Sequence, residues 1–127
     1  MTKWEDLFKI RIANPDESFQ KHEIVKLLVV MKILKKHTNK TWIRIYTEFR
    51  LENGNKVDVY FEDIKNKAIY LYEIQKNMTN EWIERKAKQY DSYEVPYMKS
   101  TNFIPIPLKN CPDNVFEINK WLEEYIF

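Results

Sequence analysis

Asp58 and Glu73 are carboxylates fifteen positions apart, and Gln75 follows two residues after the second. On neighbouring antiparallel strands in the right register they become direct cross-strand partners, with Cβ atoms about 5 Å apart. Two carboxylates that close repel unless a proton or a cation lies between them. Oxygen donors on a rigid sheet suit Mg2+ or Mn2+, and an ion held in that way can activate water for hydrolysis. Gln75 can donate a hydrogen bond to position a water but brings no charge. The plainer alternative is a wet sheet face on which Arg44, Arg50 or Lys76 neutralises the two acids.

Whether the acids meet depends on parity, because a one-residue slip sends every side chain to the other face. Residues 42–51 alternate as a strand does, with Ile43, Ile45, Thr47, Phe49 and Leu51 on one side and Trp42, Arg44, Tyr46, Glu48 and Arg50 on the other. A three-residue turn at 53–55 pairs Leu51 with Val57. It groups Val57, Val59 and Phe61 with the first apolar set and puts Glu48, Arg50 and Asp58 together on the opposite face. A two-residue turn at Lys65-Asn66 then pairs Asp63 with Ala68 and Asp58 with Glu73, in a third strand over 68–75. Asparagine tolerates the positive φ such a turn requires. Gln75 falls on the face of Glu73.

A helix over 14–37 precedes this antiparallel meander. Asn14-Pro15-Asp16-Glu17 opens it with a cap, a first-turn proline and two acids. Phe19, Ile24, Leu27, Leu28, Met31 and Leu34 supply its apolar face. A second helix follows over 80–93, capped by Thr79 or Asn80, with Ile83, Ala87 and Tyr90 as the inner stripe. The extended segment 101–108 is confined by Pro105 and Pro107 to an edge or a strand end. A last helix over 115–126 starts with an Asn114–Glu117 capping box and packs through Ile118, Trp121, Leu122 and Tyr125. The order helix, three-strand meander, helix, short strand, helix implies an α+β fold, a mixed sheet flanked by helices.

Bulk composition narrows the function classes. The 127 residues suit a single domain over 1–127, and 44% hydrophobic with 31% charged residues supports a packed core. One glycine excludes a glycine-rich phosphate loop, and with it P-loop and dinucleotide-binding chemistry. A net charge of +2, from 21 basic and 19 acidic residues, is too balanced to indicate nucleic acid by itself. Cys111 is the only cysteine, so no disulfide framework or cysteine-based zinc site forms within the chain. Its expected role is structural, in a reducing compartment. Met1 to Arg11 does not read as a signal peptide, and the apolar run Leu27 to Met31 is too short to span a membrane. The expectation is a soluble, cytoplasmic protein.

An acid on one strand, E-x-Q about fifteen residues later on the next, and Q-x-x-x-Y on the following helix resemble the PD-(D/E)XK nuclease superfamily. Here these are Asp58, Glu73-Ile74-Gln75 and Gln89 to Tyr93, and the resemblance covers roughly residues 14–108. The stretch Glu73 to Glu81, with Glu84, Arg85 and Tyr90 downstream, is similar to the competence-associated CoiA-like branch. Q-x-x-x-Y is closer to RecB-like and archaeal resolvase-like members.

The resemblance implies a restriction-endonuclease-like core and a Mg2+- or Mn2+-dependent endonuclease that cuts DNA rather than RNA. Asp58 and Glu73 would bind the ion, with Glu48 as a further acid and Glu23 of the first helix as a weaker candidate. Gln75 stands where members carry a lysine that orients the attacking water. Lys76 points to the other strand face unless a bulge follows Gln75. Arg85, Lys86, Lys88 and Lys76 would hold backbone phosphates, Arg44 or Arg50 would flank the metal, and Gln89 and Tyr93 would line the pocket. Taken singly, each of these side chains is also an ordinary surface or packing residue, and His22 and His37 are expected at the surface, with a single metal-ligating His on the first helix as the alternative. The missing lysine leaves open a degenerate member that binds nucleic acid or a protein partner without cutting. An unrelated α+β assembly domain is also open. A domain of this size needs a partner to span a duplex, and a homodimer would supply one.

Overall fold

β-Branched and aromatic residues recur in three eight-residue segments, and each is a strand: β2 (Ile43–Arg50), β3 (Lys56–Asp63) and β4 (Ala68–Gln75). The computed structural model describes residues 8–9, 20–52, 54–91 and 93–127. In it the three strands form the expected antiparallel meander. Two further strands make a mixed sheet in the order β1-β2-β3-β4-β5. β1 (Phe8–Lys9) runs parallel to β2, and β5 (Ser100–Pro107) runs parallel to β4. β1 is too short to leave a periodic signal in the sequence. β5 lies at the edge, where its prolines require it to be.

Among the described residues three helices flank the sheet: α1 (Gln20–Lys36), α2 (Asn80–Asp91) and α3 (Val115–Trp121), the last extended by a 3-10 turn at Leu122–Tyr125. The proposed start at Asn14 to Glu17 lies outside the described residues. The Thr79 hydroxyl accepts the Trp82 N–H at 3.1 Å, and Asn114 caps α3 by accepting from the Glu117 N–H at 2.9 Å. One core sits between the sheet and α1 with α3, joining Val29 and Ile33 to Ile45, Phe61, Tyr72, Ile118 and Leu122. Cys111 is buried there too, a structural thiol as expected. A second core lies on the α2 side and joins Leu51, Val57, Tyr60, Ile69 and Leu71 to Tyr90.

The α1 core face agrees with the expected one at Ile24, Leu28 and Leu34, which pack against the first core, and differs elsewhere. Val25, Lys26, Val29, Val30 and Ile33 are buried, whereas Leu27 and Met31 are 43% and 53% exposed. The buried stripe runs through a lysine, which is why its polarity pattern pointed elsewhere.

The first hairpin also differs. Leu51 rather than Glu52 is the last residue before the turn to pair, its N–H bonding Asn55 O at 2.8 Å, and Gly54 N–H bonds Leu51 O at 3.0 Å. Gly54, at φ +90, supplies the left-handed residue. Val57 therefore pairs with Phe49, not Leu51. That slip of two preserves parity, but a local distortion does not. Glu48 has φ +50 and stands in register opposite Asp58. A left-handed non-glycine residue inside a strand costs about 1–3 kcal/mol, and here it inverts the faces. Ile43 and Ile45 enter the first core, while Phe49 and Leu51 enter the second. Across the ladder, Val59 and Phe61 enter the first and Val57 the second. The expected single apolar faces hold only on one side of this break.

In the second hairpin Asp63 pairs with Ala68 as expected, and Lys67 N–H closes the turn onto Ile64 O at 3.3 Å. The positive φ falls on Lys67, at +55, rather than on Asn66. Asn66 instead donates its backbone and side-chain N–H groups to the Asp63 carboxylate at 3.2 and 2.7 Å.

Candidate active site

The ladder between β3 and β4 runs from Asp63 with Ala68 to Val59 with Tyr72. The next residues in line are Asp58 and Glu73. Asp58 turns its own side chain into the gap, where Oδ2 accepts the Ile74 N–H at 2.8 Å. Glu73 is buried, and its Oε1 accepts the hydroxyl of Tyr90 from α2. Burial first, and then the negative charge of Asp58, push the Glu73 carboxyl up to about 7, against the Tyr90 hydrogen bond and the charge of Lys86. Burial also raises the Tyr90 hydroxyl, and Glu73 raises it further. A carboxyl poised near neutrality beside a second carboxylate keeps a proton or accepts a cation.

α1 brings three more side chains to this end of the sheet. His22 bridges two acids, with Nε2 3.3 Å from Asp58 Oδ1 and Nδ1 3.2 Å from Glu23 Oε1. The Asp58 hydrogen bond raises the imidazole pKa in spite of its burial. Lys26 is 2% exposed, and its Nζ lies 2.7 Å from Glu23 Oε2 and 3.8 Å from Glu48 Oε2. The contact with Glu23 is an ion pair without an aligned hydrogen bond, since neither atom has one. The other Glu48 oxygen lies 3.5 Å from the half-exposed Lys56.

Glu23, Glu48, Asp58 and Glu73 are thus linked at one end of the sheet, which brings together all four acids singled out from the sequence. They divide into two pairs. Glu23 and Glu48 face the Lys26 ammonium, whereas among the described residues neither Asp58 nor Glu73 has a lysine or arginine at ion-pair distance. Also among the described residues, no three His, Cys, Asp or Glu side chains are placed to hold one ion. The Asp58–Glu73 pair by itself offers oxygen donors in a partly desolvated place, the donor type that a hard divalent cation takes.

The remaining candidates lie around this centre. Gln75 is half-buried at the end of β4, donating Nε2–H to Asn77 O at 3.3 Å, and Lys76 beyond it is exposed. Lys86 lies 5.7 Å from the Tyr90 ring centroid, close enough for its charge to reach Glu73, while Arg85 and Lys88 are exposed. Gln89 buries its side-chain oxygen, and Tyr93 packs in the second core beside Tyr60. Neither proposed arginine flanks the acid pair: Arg44 lies 3.6 Å from Glu62, and Arg50 donates to Gly54 O at 3.2 Å. His37 meets the backbone oxygen of Phe127 at 3.1 Å.

Sequence reasoning missed Lys26, His22 and Tyr90 as site residues. His22, Lys26, Val29 and Ile33 recur at helical spacing, so a polar start to a buried stripe was the available signal. Searches against protein-family profiles, curated proteins and solved structures find no match for this chain.

Proposed function

We propose that the protein is a metal-dependent nuclease that hydrolyses DNA phosphodiester bonds, on a restriction-endonuclease-like core. The observation that carries this is the Asp58–Glu73 pair at the break in the ladder, with Glu73 raised to about 7 by burial and by its neighbour. Asp58 and Glu73 would hold the Mg2+ or Mn2+ ion. When bound, such an ion polarises a water and stabilises the leaving oxygen. Glu73 would have to be deprotonated to serve in that role, and the Tyr90 hydroxyl, donating to its Oε1, would hold the carboxylate in place. The Ile74 N–H and His22 fix the two oxygens of Asp58. Gln75 positions water by hydrogen bonding, and Lys76, Arg85, Lys86 and Lys88 meet backbone phosphates. Cleavage of plasmid and branched DNA with Mg2+ or Mn2+ tests this. Activity is expected in the native chain and lost in both Asp58→Asn and Glu73→Gln; equal activity in all three removes the proposal.

The Gln75 amide engaged with Asn77 favours a second reading, a degenerate nuclease fold that binds nucleic acid without cutting. Salt-sensitive DNA binding without heat from Mg2+ or Mn2+ in calorimetry would select it.

A further inference from the structure

Lys26, with the two acids it touches, Glu23 and Glu48, lies at this end of the sheet and has no part in that proposal. It sits in the apolar stripe of α1 between Val25, Val29 and Val30, a position where an apolar side chain would pack without penalty. Its ammonium is instead driven inward between carboxylates from two elements, Glu23 on α1 and Glu48 on β2. Glu48 reaches it from a left-handed backbone that a glutamate adopts only under constraint. Lys26 Nζ and Glu23 Oε2 are both buried with no aligned hydrogen-bond partner, although they stand 2.7 Å apart. A geometry set by charge rather than by hydrogen-bond direction is that of an ion held by its ligands.

We propose that the Lys26 ammonium is a resident cation: it occupies the Glu23–Glu48 half of the acidic cluster and restricts the site to one divalent ion, on Asp58 and Glu73. The second half of that statement rests on the proposed function; the first does not. Lys26 is therefore a positioning residue, holding two acids that would otherwise compete for the metal. His22 joins the halves, touching Glu23 with one nitrogen and Asp58 with the other.

Mn2+ alone is the probe, titrated into the full chain and followed by calorimetry and by the spin-resonance signal of free Mn2+. The native chain is expected to take one ion. Lys26→Ala, which frees two carboxylates and leaves room for a hydrated ion, is expected to take two, and adding Glu48→Gln to it should return the count to one. One ion in both the native chain and Lys26→Ala, or two in the native chain, overturns the inference. No ion in the native chain but one in Lys26→Ala, lost again with Glu48→Gln, keeps the Lys26 assignment and removes the metal site of the proposed nuclease. No ion in either overturns both. If circular dichroism shows that Lys26→Ala does not fold, Glu23→Gln with Glu48→Gln decides. One ion retained supports the resident cation, and any other count refutes it.

Discussion

Two buried glutamates on the sheet each accept a hydrogen bond from a tyrosine, and their surroundings then diverge. Glu62 takes the Tyr60 hydroxyl at 2.6 Å and has Arg44 at 3.6 Å. Glu73 takes the Tyr90 hydroxyl but faces the carboxylate of Asp58. The first sets one acid against one donor and one cation, although its Oε2 has no aligned hydrogen bond. The second sets a carboxyl against a carboxylate in a partly desolvated place, with His22 on Asp58 and no lysine or arginine at ion-pair distance among the described residues. A buried tyrosine–glutamate contact is therefore no marker of function by itself. What distinguishes Glu73 is a second carboxylate where Glu62 has an arginine.

The largest expected difference between the two is catalytic. Glu73→Gln should lower Mg2+-dependent cleavage on the order of 10²-fold, whereas Glu62→Gln should leave the rate unchanged in the same assay. Equal losses would mean that the contrast reports folding alone. Next in size is a titration. Carbon-detected NMR of the Glu73 carboxyl should give a midpoint of about 7, and Asp58→Asn should move it down towards the ordinary 4.5. A midpoint that stays put would assign the whole shift to burial.

The same shift makes stability depend on pH. Folded Glu73 keeps its proton up to about 7, while the unfolded chain releases it near 4.5. The contribution is complete below the unfolded value and is lost as pH rises through about 7. His22, also raised in the fold, loses its contribution in the same direction, above its ordinary 6.5. Denaturant midpoints should therefore fall as pH rises across this window, and Glu73→Gln should flatten the profile where Glu62→Gln does not. Added Mg2+ should recover stability on the alkaline side of the native profile. The smallest expected effect compares the tyrosines. Tyr60→Phe and Tyr90→Phe should each cost about 1–2 kcal/mol in denaturant unfolding. Only Tyr90→Phe should also raise the Glu73 midpoint, because its hydroxyl holds that carboxyl down.

Much of the fold was legible because strand alternation and turn chemistry are local. β4 falls on the expected residues 68–75, the pairing of Asp63 with Ala68 holds, and Pro105 and Pro107 placed β5 at an edge. The first hairpin was less legible. Nothing in the Glu48 side chain announces a left-handed backbone, and the face inversion there follows from how two cores are packed. The four acids came from parity and from resemblance, but their partners did not. A buried lysine looks from sequence like any lysine on a helix, and the burial of Lys26 depends on acids that arrive from another part of the chain. Tyr90 was visible as a core residue, whereas its hydroxyl contact with Glu73 depends on where α2 docks.

The prolines of β5 have one more consequence, for assembly. Pro105 pairs with Glu73 and Pro107 with Gln75, and the ladder to β4 persists through both, so the two ring nitrogens face away from the sheet. Two successive outward positions on that edge therefore offer an incoming strand no donor. Strand addition at this edge is thereby disfavoured opposite Glu73 and Gln75, where the ladder on the other side of β5 ends.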